Sequence, residues 1–296
     1  MNRFTRRSFI AIASTLLLAA PLVRADDAPA VKRTEDVIYG RKFGTALTLD
    51  VFRPAKANGK GIIFIVSSAW FSSHEAINQG FAQPLLDHGY TVFAVVHGSN
   101  PKFIIPECEQ DVFRSVRFIR HNARKFEIDP DKLGSVGASA GGQLSLILAT
   151  LGGPGNPKVK DPVDQESSAV QAAAAFFPPT DFLNYGKQGE NAVGVGILKA
   201  FQSAFGPDSA TPESREKLGW QISPIYHAHA GMCPILLIHG GADTLAPVQQ
   251  SQLFEARCKE LNVPVTLLVR PGKNHGWAHM EVDMEDVAKW FDEQLK

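Results

Sequence analysis

The sequence predicts an α/β fold: a mostly parallel, twisted sheet with helices on both faces and a small lid insertion. Two patterns point there. Past residue 60, short apolar runs with strand character alternate with longer stretches patterned at helical period, the sign of a parallel sheet covered on both sides. The runs are continuously apolar instead of alternating, as in strands buried on both faces. A third observation places chemistry on that frame. Gly137-Ala138-Ser139-Ala140-Gly141 sits between a strand-like run, Lys132–Val136, and an apolar helical run, Gly142–Thr150. That puts a serine on a sharp strand-to-helix turn with its hydroxyl exposed.

Taken in order, residues 1–25 read as an export signal. Arg6-Arg7 precedes an apolar core from Ile10 to Leu18, and Val23-Arg24-Ala25 offers small residues for cleavage, a pattern similar to a twin-arginine signal. An ordinary signal peptide or an uncleaved anchor is the alternative, although the apolar stretch is short for a span. The remainder, 26–296, is expected to be one domain destined for the periplasm or the exterior. Ala46–Phe52 alternates at period two and ends at Pro54, as an antiparallel edge strand would; Ile62–Val66 and Thr91–Val96 are buried strands. Phe81–His88 reads as a helix stopped by Gly89. Asp111–Asn122 reads as another, with Val112, Val116 and Ile119 on one face and Arg114, Arg117 and Arg120 largely elsewhere. Gly152–Ser168 is a Gly- and Pro-rich surface loop, and Val170–Phe177 is the next strand. Residues 182–222 pattern weakly and hold scattered aromatics, so they read as a lid, with ordinary crossover helices as the alternative. Pro234–Ile238 and Val263–Val269 are the last strands, Val248–Leu261 and Asp283–Leu295 the last helices.

Composition narrows the function classes. Lys and Arg balance Asp and Glu at 30 each, and Arg3, Arg6, Arg7 and Arg24 are the only charges in the expected signal, so the rest of the chain is net acidic. No basic stripe exists to attract nucleic acid, and no second apolar stretch suggests a stable membrane span. Cys108, Cys233 and Cys258 are too few for a disulfide scaffold; an oxidising compartment would permit one bridge, between Cys233 and Cys258, or leave all three reduced. His227-Ala228-His229 lacks a completing carboxylate or thiolate, and no dinucleotide or phosphate-loop fingerprint occurs, so neither metal nor organic cofactor is expected.

A serine hydroxyl is a weak nucleophile near neutral pH and needs a base, which in turn needs an orienting acid. Asp243, in His239-Gly240-Gly241-Ala242-Asp243, and His275, in Gly272-Lys273-Asn274-His275-Gly276, follow in that order after the last two strands. In a parallel sheet those strand ends gather along the edge where Ser139 emerges. His279 is a competing base, and Asp181 is a competing acid after the strand that ends at Phe177.

These stretches, together with Asp129-Pro130-Asp131 and Ser223-Pro224-Ile225-Tyr226, resemble the α/β-hydrolase family over roughly residues 46–293. The resemblance is nearest to its small esterases, feruloyl-esterase-like and hormone-sensitive-lipase-like. It implies a serine hydrolase that cleaves carboxylic esters through an acyl-enzyme. Ser139 would be the nucleophile, His275 the general base and then acid, and Asp243 its orienter, with the backbone N–H of Ala140 as one oxyanion donor. Acetyl or feruloyl esters of polysaccharides are the implied substrates, small or oligosaccharide in size. The family's His-Gly-Gly-Gly-type loop is replaced by Ser67-Ser68-Ala69, which restricts a loop that can require positive φ. An N–H from Ala69 or Trp70 is expected to serve as the second donor. Trp70 and Phe71 would then border the substrate, or else pack beneath the lid. Two other readings stay open: a prolyl-oligopeptidase-like peptidase, and a catalytically silent binding protein on the same scaffold.

Overall fold

The computed structural model describes residues 31–296; the expected export signal lies outside them. Eight strands form one sheet in the order β1-β2-β4-β3-β5-β6-β7-β8. They are β1 (Lys32–Lys42), β2 (Thr45–Arg53), β3 (Gly61–Val66), β4 (Thr91–Val96), β5 (Leu133–Ala138), β6 (Ala172–Phe176), β7 (Ile235–Gly240) and β8 (Val265–Arg270). From β4 to β8 every pairing is parallel, whereas β1–β2 and β2–β4 are antiparallel. The α-helices are α1 (Gln79–Asp87), α2 (Ile105–His121), α3 (Ala123–Phe126), α4 (Ala140–Leu151), α5 (Gln202–Phe205), α6 (Pro212–Ile222), α7 (Pro224–His227), α8 (Gln249–Glu260) and α9 (Glu281–Gln294). No helix among the described residues is long and apolar enough to cross a membrane.

Period-two alternation divides the core into two layers. Ile63 and Ile65 of β3 and Phe93 and Val95 of β4 face α2, α4 and α8. Their neighbours Ile62, Phe64, Val92 and Ala94 face α1 and α9, where Leu85, Val287 and Phe291 are fully enclosed. On β6 the run Ala172–Ala175 keeps side chains small, which leaves room for α4 to lie close, with Ser145 Oγ donating to Ala174 O at 3.0 Å.

One sequence expectation is corrected. The edge strand is β1, not the stretch Ala46–Phe52, which lies in β2, second in the sheet. β1 opens with exposed Lys32, Arg33, Thr34, Glu35 and Asp36, and its register slips twice against β2. A charged, irregular edge discourages pairing with other chains, but it carries no apolar signal. Residues 182–222 contain no full-length crossover helix before α6. The chain there makes 3₁₀ turns at Gly196–Phe201 and Pro207–Ser209 around the short α5. The Cys233–Cys258 bridge left open by the sequence is not formed, and all three cysteines are free thiols.

Candidate active site

Ser139 joins β5 to α4 at φ 55 and ψ −120, a conformation that costs a non-glycine residue about 1–3 kcal/mol. Crowding explains the flanking glycines. A Cβ on Gly137 would meet the Gly141 carbonyl oxygen at 2.3 Å, and one on Gly141 would meet Ile65 O at 2.7 Å. The strained serine is pinned by its own N–H, which donates to Phe176 O at 2.9 Å.

The loops after β7 and β8 bring its partners. Asn274 ties them together, its Oδ1 accepting from the backbone N–H of Thr244 at 2.9 Å and of His275 at 2.8 Å. His275 Nε2 lies 2.8 Å from Ser139 Oγ, and His275 Nδ1 lies 2.8 Å from Asp243 Oδ2. Asp243 Oδ1 accepts the N–H groups of Leu245 and Ala246, both at 2.9 Å. Burial would raise the Asp243 carboxyl, but hydrogen bonds from His239, His275 and the Ala246 backbone outweigh it and hold the group well below the usual carboxylate range. A carboxylate there keeps the imidazole proton on Nδ1 and leaves Nε2 free to accept from the serine. Phe177 packs edge-on against the His275 ring, centroids 4.6 Å apart. The sequence offered no signal for Phe177 or Asn274 beyond their nearness to strand ends.

The segment after β3 answers the question raised by its missing glycines. Ser68 and Phe71 exchange both backbone hydrogen bonds at 2.8 Å, closing a two-residue turn over Ala69 and Trp70. Both central residues take positive φ, 49 and 59, as type I′ geometry demands. The carbonyls of the turn are held: Asn100 Nδ2 donates to Ala69 O at 2.9 Å and Asn100 N donates to Trp70 O at 3.3 Å. The Ala69 and Trp70 N–H groups find no acceptor among the described residues. Both residues line the same cavity as Ser139 and Ala140, whose N–H begins α4. Ala69→Gly removes a left-handed alanine at a cost of about 1 kcal/mol. The variant is therefore expected to melt a few degrees higher with turnover retained, as thermal denaturation and initial rates would show.

The cavity holds about 340 Å³ and is walled by Phe177, Pro179 and Leu245 and, from the 182–222 segment, Tyr185, Leu198 and Phe201. Trp70 borders it while lying 2 % exposed against Phe182 and Phe205, so the two readings of its role coexist. Phe71 is not brought in: it is 53 % exposed and absent from the lining. Two buried hydroxyl oxygens on lining residues, Ser67 Oγ and Tyr185 Oη, have no hydrogen-bond partner among the described residues.

The competing residues are occupied elsewhere. His279 is exposed and pairs with Glu281 at 3.0 Å. Asp181 accepts from the Leu183 and Asn184 backbone and from the Tyr226 hydroxyl. His227 and His229 each face a backbone carbonyl, of Gln221 and Ala230. Glu35, Asp50 and His74 lie close enough to share an ion, but the Arg33 guanidinium already sits 2.7 Å from Asp50 and 3.3 Å from His74, supplying the positive charge.

Comparison with known proteins shows the family to which this fold belongs. The chain is 27 % identical over 251 residues to a probable carboxylic ester hydrolase, LipM, of Mycobacterium tuberculosis, covering 82 % of this chain and 56 % of that protein. It thus spans little more than half the length of the first curated relatives it matches. An ethyl acetate hydrolase of Pseudomonas putida is 24 % identical, covering 85 % of this chain and 78 % of that protein. Among solved structures, a truncated carbohydrate esterase from gut microbiota aligns with a TM-score of 0.78 and 26 % identity, covering 91 % of this chain and 98 % of the other. An acetyl ester-xyloside bifunctional hydrolase from Caldicellulosiruptor lactoaceticus aligns with a TM-score of 0.74 at 19 % identity over 88 % and 96 % of the two chains, a likeness of fold alone. The BD-FAE family model matches residues 49–258. The chain therefore belongs to the BD-FAE family, carboxylesterases of the α/β-hydrolase fold.

Proposed function

We propose that this chain hydrolyses carboxylic esters, with acetylated or feruloylated carbohydrates as substrates, and that residues 1–25 export it. The observation that carries the reading is the unbroken line Asp243–His275–Ser139, two contacts of 2.8 Å, opening into a cavity with unpaired backbone N–H groups. Ser139 Oγ attacks the ester carbonyl carbon while His275 Nε2 takes its proton. Negative charge gathers on the carbonyl oxygen, where the N–H groups of Ala69, Trp70 and Ala140 receive it. Collapse breaks the bond to the alcohol oxygen, which leaves with the proton from His275. Water then repeats the sequence on the acyl-serine and releases the acid.

The finer substrate class rests on other features. A cavity of about 340 Å³ holds an acyl group and the first unit of an alcohol, so a longer chain would extend outside. Unpartnered Ser67 Oγ and Tyr185 Oη favour a ligand that brings its own polar atoms. The carbohydrate esterase among the structural neighbours agrees with both. The test measures release of acetate and ferulate from acylated xylo-oligosaccharides beside p-nitrophenyl acetate turnover. Activity on both classes, with covalent capture of Ser139 by a fluorophosphonate, is the expected result. Turnover of the nitrophenyl ester alone would sink the carbohydrate assignment. No turnover and no capture would return the chain to a silent binding protein.

A further inference from the structure

The α2 arginines, noted in the sequence for lying off the apolar face, are not equivalent in the structure. Arg114 is saturated: Nε donates to Tyr39 O at 3.1 Å, and its two terminal nitrogens reach Asp161 and Asp164 at 2.8 Å. Arg120 is saturated by the carbonyls of Pro130, Ser167 and Ala169. Arg117, between them, makes no hydrogen bond or ion pair with any described residue, although its Nε is buried. A buried charged donor without a partner costs about 1–3 kcal/mol or more, so such a group calls for a partner.

Arg117 lines a cleft of about 450 Å³ between α2, β1 and the loop that follows α4. Across it stands Arg41 of β1, which is likewise free of ion pairs among the described residues. The acids in the cleft offer no relief. Asp111 is engaged by Lys42 at 2.5 Å and by Gly98 N at 2.9 Å, and Asp164 is engaged by Arg114. Two guanidinium groups without an ion pair among the described residues thus line one concavity whose acids are already paired. No residue lines both this cleft and the catalytic cavity.

We propose that this cleft is a second ligand site, where Arg117 and Arg41 together grip the oxyanion of a small ligand, a carboxylate or a phosphate. A guanidinium presents a planar fork of donors that matches two oxygens of either group. The site stands independently of the ester reading, because neither arginine touches the triad.

The test is calorimetric titration of the full chain at low ionic strength, with sodium glucuronate in one arm and sodium phosphate in the other. Wild type is expected to bind saturably in at least one arm. Arg117→Gln and Arg41→Gln are each expected to weaken that binding at least tenfold, while Arg124→Gln, on the exposed face of α3, leaves it unchanged. The tighter arm identifies the ligand as a sugar acid or a phosphorylated compound. Unliganded Arg117→Gln is expected to melt no lower than wild type, since it loses no hydrogen bond or ion pair to a described residue. Arg41→Gln, at an exposed position of β1, keeps the test decisive if the half-buried Arg117 variant folds poorly. No saturable binding in either arm up to about 10 mM, or equal affinity for wild type and both variants, would overturn the proposal.

Discussion

Ser139→Ala is expected to lower kcat for p-nitrophenyl acetate about a million-fold, the scale seen when a triad nucleophile is removed, and to leave the fold intact. Asp243→Asn is expected to lower it about ten-thousand-fold, for a reason the hydrogen bonds make specific. An asparagine oxygen can still accept the Leu245 and Ala246 N–H groups that now reach Oδ1. The atom facing His275 Nδ1 then becomes an NH₂ donor. The imidazole must shift its proton to Nε2, so the acceptor that Ser139 Oγ requires is lost. The double variant is expected to be hardly worse than Ser139→Ala, because the residues act as a unit. Ser139→Gly adds a signature that a bystander serine would not show. It relieves the positive φ of 55 and is expected to raise the melting temperature while activity is lost. Initial rates beside thermal melts separate the cases. Rates within tenfold of wild type for either single variant would remove Ser139 or Asp243 from the mechanism.

What could be read from residue order alone divides along a physical line. The parallel strands were legible because burial on both faces makes them continuously apolar. Ser139, Asp243 and His275 were legible because each sits on a loop after a strand. β1 was not legible, since an edge strand protected by charge looks like a polar linker. The turn at Ala69 and Trp70 was only half legible. Its place after β3 was clear, but its donors are backbone groups, and its left-handed φ values are imposed by partners far away in sequence. Asn100 grips the turn from one side, and Gln143, 73 residues after Trp70, from another. Arg117 was visible as a residue off the apolar face, but its isolation shows only when its neighbours' partners are counted.

Gln143→Leu is expected to cost about a hundredfold in kcat with KM nearly unchanged, and several degrees in melting temperature. Gln143 lies one turn into α4, fully buried, and touches three elements besides its own. Its Oε1 accepts from Trp70 Nε1 at 3.0 Å, and its Nε2 donates to Ile222 O at 2.9 Å and to Glu109 Oε1 at 3.1 Å. Leucine would orphan the indole N–H and the Ile222 carbonyl, each at a cost of about 1–3 kcal/mol. The Trp70 indole would then be free to turn, and its strained backbone with it, so the N–H proposed to receive the oxyanion would be lost in the transition state more than in the ground state. The far end of this chain titrates. Burial pushes the Glu109 carboxyl up to about 8, against a smaller pull downward from Gln143. The folded protein therefore keeps a proton that the unfolded chain releases near 4.5, and stability falls as pH rises from about 4.5 to about 8 before levelling. Glu109→Gln abolishes that titration. Its melting temperature should gain on wild type between pH 5 and pH 8, by an amount that grows across that window and levels beyond it. A gap that stays constant with pH would mean that Glu109 is ionised in the fold, and that Gln143 holds the oxyanion turn against a full charge instead of a neutral acid.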